Sequence, residues 1–250
     1  MWEAPVKIQR TSVGLDVHAR SVVGCALDGE TGEVFQRRLS PDHRQILEWI
    51  NGLPAPVAVT YEAGPTGFGL ARFLLAAGIE CLVAAPSKLV RPSGDRVKTD
   101  ARDAAHLARL LHLGEITPVC IPSVEREAAR DLVRAREDCR ADLMRARHRV
   151  SALLLRHDIL YSGGPTWTGA HEAWLGRQRF DAPPAQTAFD TALETMLATV
   201  DRRRRLDTAI AEMAVEGEFS AVVARLGCPR AVSTLTASGL AAESGDWSRS

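Results

Sequence analysis

Long apolar runs are missing from this chain of 250 residues, none approaching the roughly 20 that a membrane helix needs. Met1 to Arg10 also lack the apolar stretch of a secretory signal, so the chain is expected in the cytoplasm. Paired cysteines are missing too. Cys25, Cys81, Cys120, Cys139 and Cys228 are scattered, with no Cys-x-x-Cys, which argues against zinc or a disulfide framework and for reduced, mostly buried thiols. There is no charge excess: 31 basic and 31 acidic residues cancel, and net charge gives no hint of nucleic acid. Lysine is scarce, with only Lys7, Lys88 and Lys98. Arginine offers a planar fork suited to phosphate, although a GC-rich coding sequence produces the same bias. No internal repeat or low-complexity tract is present.

What remains is ordinary for a globular protein, 46% apolar and 25% charged, long enough for one large domain or two modest ones. Val13 to Leu27 is apolar and β-branched, interrupted at Asp16, His18 and Arg20. Gly29 to Gly32 reads as a turn, with Val34 to Leu39 pairing back as the next strand. His43 to Ile50 has helical spacing, Val57 to Tyr61 is a short buried-strand run, Phe68 to Ala77 is helical, and Ile79 to Ala84 is another strand. Asp100 to Leu113 is helical again, closing at Gly114 before a connector at Pro118 and Pro122. The fold class is thus α/β: a mixed sheet with flanking helices in the element order of the ribonuclease H-like fold.

Beyond Pro122 the character changes. Glu125 to His157 contains no Gly or Pro, and Leu132, Cys139, Ala146 and Leu153 recur every seven residues beside Leu143 and Val150. The seam is weakened by small knobs and by Arg136. Tyr161 to Pro184 reads as an irregular crossing. Thr187 to Val215 is a second helical stretch with Phe189, Leu193, Met196 and Val200 on one face, interrupted by Arg202 to Arg205. Two such helices would form a coiled-coil arm or a contact between copies. The expected domains are 1–122, an arm over 123–216, and the opening of another domain over 217–250.

The chemistry points to carboxylates. Asp16, in the middle of the first apolar strand, costs several kcal/mol there unless paired or bound to a cation. Glu62 follows a strand at its carboxyl end, where α/β sheets commonly place ligand sites. Asp100 and Asp103 share one face at a helix start through their i, i+3 spacing. Taken singly, Asp100 also fits a helix N-cap, Asp103 a favourable first-turn acid, and Glu62 a turn residue. Brought together, four carboxylates need cations, and two Mg²⁺ ions about 3.5–4 Å apart would suit phosphodiester displacement. His18, two residues after Asp16, shares its face and suits a phosphate or a water held by the ions; a structural histidine fits as well. Lys88, Arg91, Arg96, Lys98 and Arg102 cluster around the Asp100 region and suit a nucleic-acid backbone, or a plain solvated loop.

Gly14-Leu15-Asp16-Val17-His18, Tyr61-Glu62-Ala63-Gly64-Pro65-Thr66-Gly67 and Lys98-Thr99-Asp100-Ala101-Arg102-Asp103-Ala104 resemble the DEDD transposases of bacterial insertion sequences, the one-ten family. The resemblance implies a RuvC-like N-terminal domain whose four acids, Asp16, Glu62, Asp100 and Asp103, bind Mg²⁺. It also implies a coiled-coil arm that assists dimer or tetramer assembly, and a structured bridge RNA that guides the choice of DNA. A C-terminal domain would supply a serine that attacks DNA. Leu235-Thr236-Ala237 and Glu243 to Trp247 resemble the opening of that domain. The serine is expected beyond Ser250, so neither Ser248 nor Ser250 is assigned and full strand exchange by these residues alone is not expected. Two alternatives stand beside this reading. One is a non-catalytic nucleic-acid-binding remnant. The other is an actin-like kinase or ATPase, disfavoured because Val17-His18 follows Asp16 where a Gly-rich phosphate turn belongs.

Overall fold

The apolar run from Val13 to Leu27 is a hairpin rather than one strand. In a computed structural model, which describes residues 10–89, 99–216, 219–228 and 232–244, β1 (Thr11–Val17) turns back at His18 to Ser21 into β2 (Val22–Asp28). Asp16 therefore stands one residue from the end of β1, not in mid-strand. The polar His18 and Arg20, with the small Ala19 between them, break the alternation and supply the exposed turn. β3 (Val34–Leu39) pairs with β2, and the first α-helix, α1 (His43–Asn51), follows with Asp42 as its N-cap. Then come β4 (Val57–Glu62), α2 (Gly69–Ala76), β5 (Glu80–Ala84), a turn of 3-10 helix at Pro86–Lys88, and α3 (Asp100–His112). The sheet order is β3-β2-β1-β4-β5, antiparallel across β3, β2 and β1 and parallel across β1, β4 and β5. A mixed five-stranded sheet with flanking helices is what a ribonuclease H-like α/β domain requires.

Two glycines set which helix lies on which face. A Cβ on Gly14 would sit 2.1 Å from the Ala104 carbonyl oxygen, so only glycine lets α3 lie this close to β1. Gly24, directly opposite Leu15, admits the Trp49 ring of α1 on the other face, where a Cβ would come within 2.4 Å of it. Leu15, Ile46, Ile50, Val59, Tyr61 and Leu74 build the core on that second face. Each such side chain contributes about 1.5–3 kcal/mol by leaving water. The α3 face is thinner, with Val23, Cys25 and Ala104 at its centre.

The chain divides into two units, Met1–Pro122 and Ser123–Ser250. The second is helical: α4 (Val124–Arg156), α5 (Gly169–Leu175), α6 (Pro183–Val215), α7 (Ser220–Leu226) and α8 (Thr234–Glu243). α4 and α6 run antiparallel, since Arg136 meets Asp207 at 2.8 Å while Cys139 Sγ lies 3.6 Å from the Thr199 carbonyl oxygen. Leu143, Val150, Phe189, Met196 and Val200 fill their shared core. The arginine run does not break α6: Arg203 and Arg136 both turn to Asp207, and burial resumes at Ile210 and Ala214. The crossing segment is less irregular than its Gly and Pro content implies. Thr168 caps α5, whose His171 and Leu175 are buried, and Pro183 opens α6 at a position where proline is tolerated. α7 and α8 pack through Phe219, Val223, Ala237 and Ala241 onto Ala129 and Ala214. No helix among the described residues is long and apolar enough to cross a membrane.

Candidate metal centre at the carboxyl ends of the parallel strands

β1, β4 and β5 run in parallel, so their carboxyl ends share one edge of the sheet. Asp16 comes from the end of β1. Glu62 ends β4, and because Leu15 is registered with Tyr61, Glu62 is the next residue beside Asp16 on the same face. That face is the one α3 covers, because Gly14, two residues before Asp16, is the point of contact. The first turn of α3 then carries Asp100 and Asp103.

Ligand-capable atoms of Asp16, His18 and Asp100 all lie within 4.8 Å of one another. His18 Nε2 and Asp16 Oδ2 are 3.1 Å apart. Glu62, exposed at its strand end, and Asp103 fall outside that tightest group. Asp100 does not spend its carboxylate on capping. Thr99 is the N-cap of α3, and its hydroxyl accepts from the Arg102 amide, which leaves the Asp100 oxygens for other partners. Sequence reading missed Thr99 in this role, although a threonine immediately before the acid was the available signal.

The electrostatics match a site short of positive charge. Burial pushes the Asp16 carboxyl above its ordinary range; His18 opposes this through charge and hydrogen bond, and Asp100 and Asp103 add repulsion in the same upward direction as burial. Two or more carboxylate oxygens with one imidazole nitrogen, held by the end of β1 with its following turn and by the start of α3, form a donor set that suits a divalent cation.

The basic residues are placed less completely. Lys88 is exposed just past β5, at the same edge as Glu62. Arg102 is exposed on the first turn of α3. Arg91, Arg96 and Lys98 lie outside the described residues.

Comparison with known proteins agrees with this geometry in its extent. Residues 13–158, from β1 through α4, match the model of the IS110-type DEDD family, described as transposase. The chain is 39% identical over 242 residues to y4qE of Sinorhizobium fredii, named as a transposase, covering 95% of this chain and 59% of that protein. It is 34% identical over 245 residues to the transposase for insertion sequence element IS1533 of Leptospira borgpetersenii, covering 96% of this chain and 71% of that one. The chain thus spans roughly three fifths to seven tenths of these relatives. It belongs to the IS110 family of DEDD transposases.

Proposed function

We propose that the chain carries the catalytic acid site of a DNA transposase, with Asp16, Glu62, Asp100 and Asp103 as the ligands of two Mg²⁺ ions. The observation that carries this reading is the convergence of Asp16, His18 and Asp100, from a strand end, a turn and a helix start, on one point. Ions held there would activate the attacking oxygen and stabilise the leaving oxygen of a phosphodiester. The chain's own residues fix the geometry. Asp16 is anchored by the β1 ladder, Asp100 by a separately capped helix, and Glu62 by its place beside Asp16. His18 orients Asp16 through their hydrogen bond and is exposed enough to meet a phosphate.

The finer parts of this reading follow the family. A structured RNA would guide the choice of DNA, with Lys88 and Arg102 on the approach to the acids. Copies would assemble through α4 and α6. Leu143 and Val150 are committed to the α4–α6 core of the chain itself, so any contact between copies falls on outward positions such as Met144, Leu155 and Leu197.

The test is thermal melting of the wild type and Asp16→Asn with and without Mg²⁺, beside cleavage and strand-transfer assays on supercoiled DNA. Mg²⁺ is expected to raise the wild-type melting temperature by several degrees and to move Asp16→Asn much less. Melting that ignores Mg²⁺ even with nucleic acid bound would reject the metal site and favour a non-catalytic nucleic-acid-binding protein.

A further inference from the structure

The register of the sheet places one cation in line with the acids. Asp16 on β1 is paired with Val23 on β2, and Val23 with Arg38 on β3. Residues directly opposite across a sheet share a face, so Glu62, Asp16, Val23 and Arg38 form one row beneath α3. Arg38 stands two strand spacings from Asp16, roughly 10 Å along the sheet. Between its strand and the first turn of α3 opens a cleft of about 570 Å³ lined by Val23, Gln36, Arg38, Thr99 and Asp100. The cleft runs from Arg38 to a member of the acidic group.

Arg38 is also held ready. Its Nη2 donates to Ser21 Oγ at 3.1 Å, and Ser21 belongs to the turn whose carbonyl accepts from the His18 amide at 3.0 Å. Among the described residues no carboxylate forms an ion pair with Arg38, which lines the cleft at the end away from Asp100. A guanidinium is the group best suited to grip a phosphate in two-point fashion.

We infer that Arg38 grips the backbone of the DNA strand that enters the acidic site, about three nucleotides from the reacting phosphate. That spacing follows from the roughly 10 Å offset and a rise of about 3.4 Å per nucleotide along one strand. Ser21 acts as a positioning residue for Arg38. The Gln36 side chain, two residues before Arg38 on the same face, donates to Cys25 Sγ at 3.8 Å and walls the cleft. The inference rests on the acidic site proposed above for the place of the reacting phosphate, but the contact itself is testable without chemistry.

The experiment is fluorescence anisotropy of a labelled DNA oligonucleotide in Mg²⁺ buffer, titrated over salt, for wild type, Arg38→Gln, Arg38→Lys and Ser21→Ala. One lost phosphate contact is expected to lower the slope of log affinity against log salt by about 0.7–0.9. Affinity at low salt should fall several-fold in Arg38→Gln, while Arg38→Lys keeps the slope and loses part of the affinity. Ser21→Ala should keep the slope with a smaller loss. A slope and affinity for Arg38→Gln equal to wild type would overturn the assignment. So would an effect confined to an RNA oligonucleotide of the same sequence run alongside. Melting with and without Mg²⁺ separates the two readings. If the wild type ignores Mg²⁺ while Arg38→Gln still lowers the slope, the metal site fails and the backbone contact stands.

Discussion

The imidazole of His18 and the carboxylate of Asp16 meet at 3.1 Å, although His18 lies just beyond the strand that carries Asp16. This contact opposes the burial and the repulsion from Asp100 and Asp103 that push the Asp16 carboxyl upward. A folded-state pKa above the unfolded value means that ionisation costs stability: the contribution is full below the unfolded pKa and is lost as pH rises through the folded one. Asp16→Asn should therefore melt higher than wild type at pH 7 when cations are chelated. The order should reverse once Mg²⁺ is added. Differential scanning calorimetry in chelator and in Mg²⁺ checks both signs, and a variant less stable than wild type in chelator would contradict the electrostatic account.

Gly14→Ala tests the packing of α3. The added methyl would meet the backbone oxygen of Ala104, which cannot rotate away. Overpacking of this kind costs about 1–3 kcal/mol, and here it pushes on the helix that carries Asp100 and Asp103. Urea denaturation should show the loss, and the Mg²⁺-dependent rise in melting temperature should shrink with it. A variant with wild-type stability would mean that α3 does not lie against β1 as described.

Asp28 supplies the pH dependence on the acid side. Its side chain is 2% exposed and meets Arg10 at 3.0 Å. The Arg10 hydrogen bond, followed by the amide of Glu30, holds its carboxyl down to about 2. A depressed carboxylate adds stability above the ordinary aspartate range and loses it as pH falls through about 2. Asp28→Asn should be destabilised at pH 6, with the difference from wild type closing as pH drops from 4 toward 2. Acid denaturation followed by circular dichroism reads this directly, and a constant difference across that range would rule it out.

The thiols provide a check on burial. Cys25, Cys81 and Cys139 are buried, and burial pushes the Cys81 thiol up to about 12. Cys120 and Cys228 are exposed. A chromogenic disulfide reagent at pH 8 should modify Cys120 and Cys228 quickly in the native protein and all five cysteines after denaturation. Rapid modification of Cys81 in the native state would place the β5 core elsewhere.

The sheet was legible because its strands are short and bounded by turn residues, as at Gly29 to Gly32 and Gly78, and all but the polar β3 are mainly apolar. The break between β1 and β2 was not, since apolar β-branched residues flank the polar turn at His18 to Ser21 on both sides. The long helices were visible from the absence of Gly and Pro over Glu125 to His157 and from the spacing of Phe189, Met196 and Val200. α5 was hidden because Gly163, Gly164, Pro165 and Gly169 mask a short capped helix packed through His171 and Leu175. In the candidate site, Asp16 stood out as a carboxylate among apolar residues, Glu62 from a strand end, and the Asp100–Asp103 pair from helix spacing. The tight grouping of Asp16 with His18 and Asp100, while Glu62 and Asp103 stand outside it, depends on how α3 docks. Cross-strand neighbours such as Arg38 were invisible because register is a relation between segments, which no single stretch of sequence contains.

The proposed site straddles a seam: the sheet carries Asp16 and Glu62, a separate helix carries Asp100 and Asp103, and the fit at Gly14 holds the helix to the sheet. Cation occupancy and helix docking would then be one linked equilibrium, each strengthening the other. A cation bound there would act as a rivet as well as a reagent. Backbone amides in the first two turns of α3 should exchange their hydrogens more slowly when it is bound, while those of β2 and β3, already locked in the ladder, should hardly change.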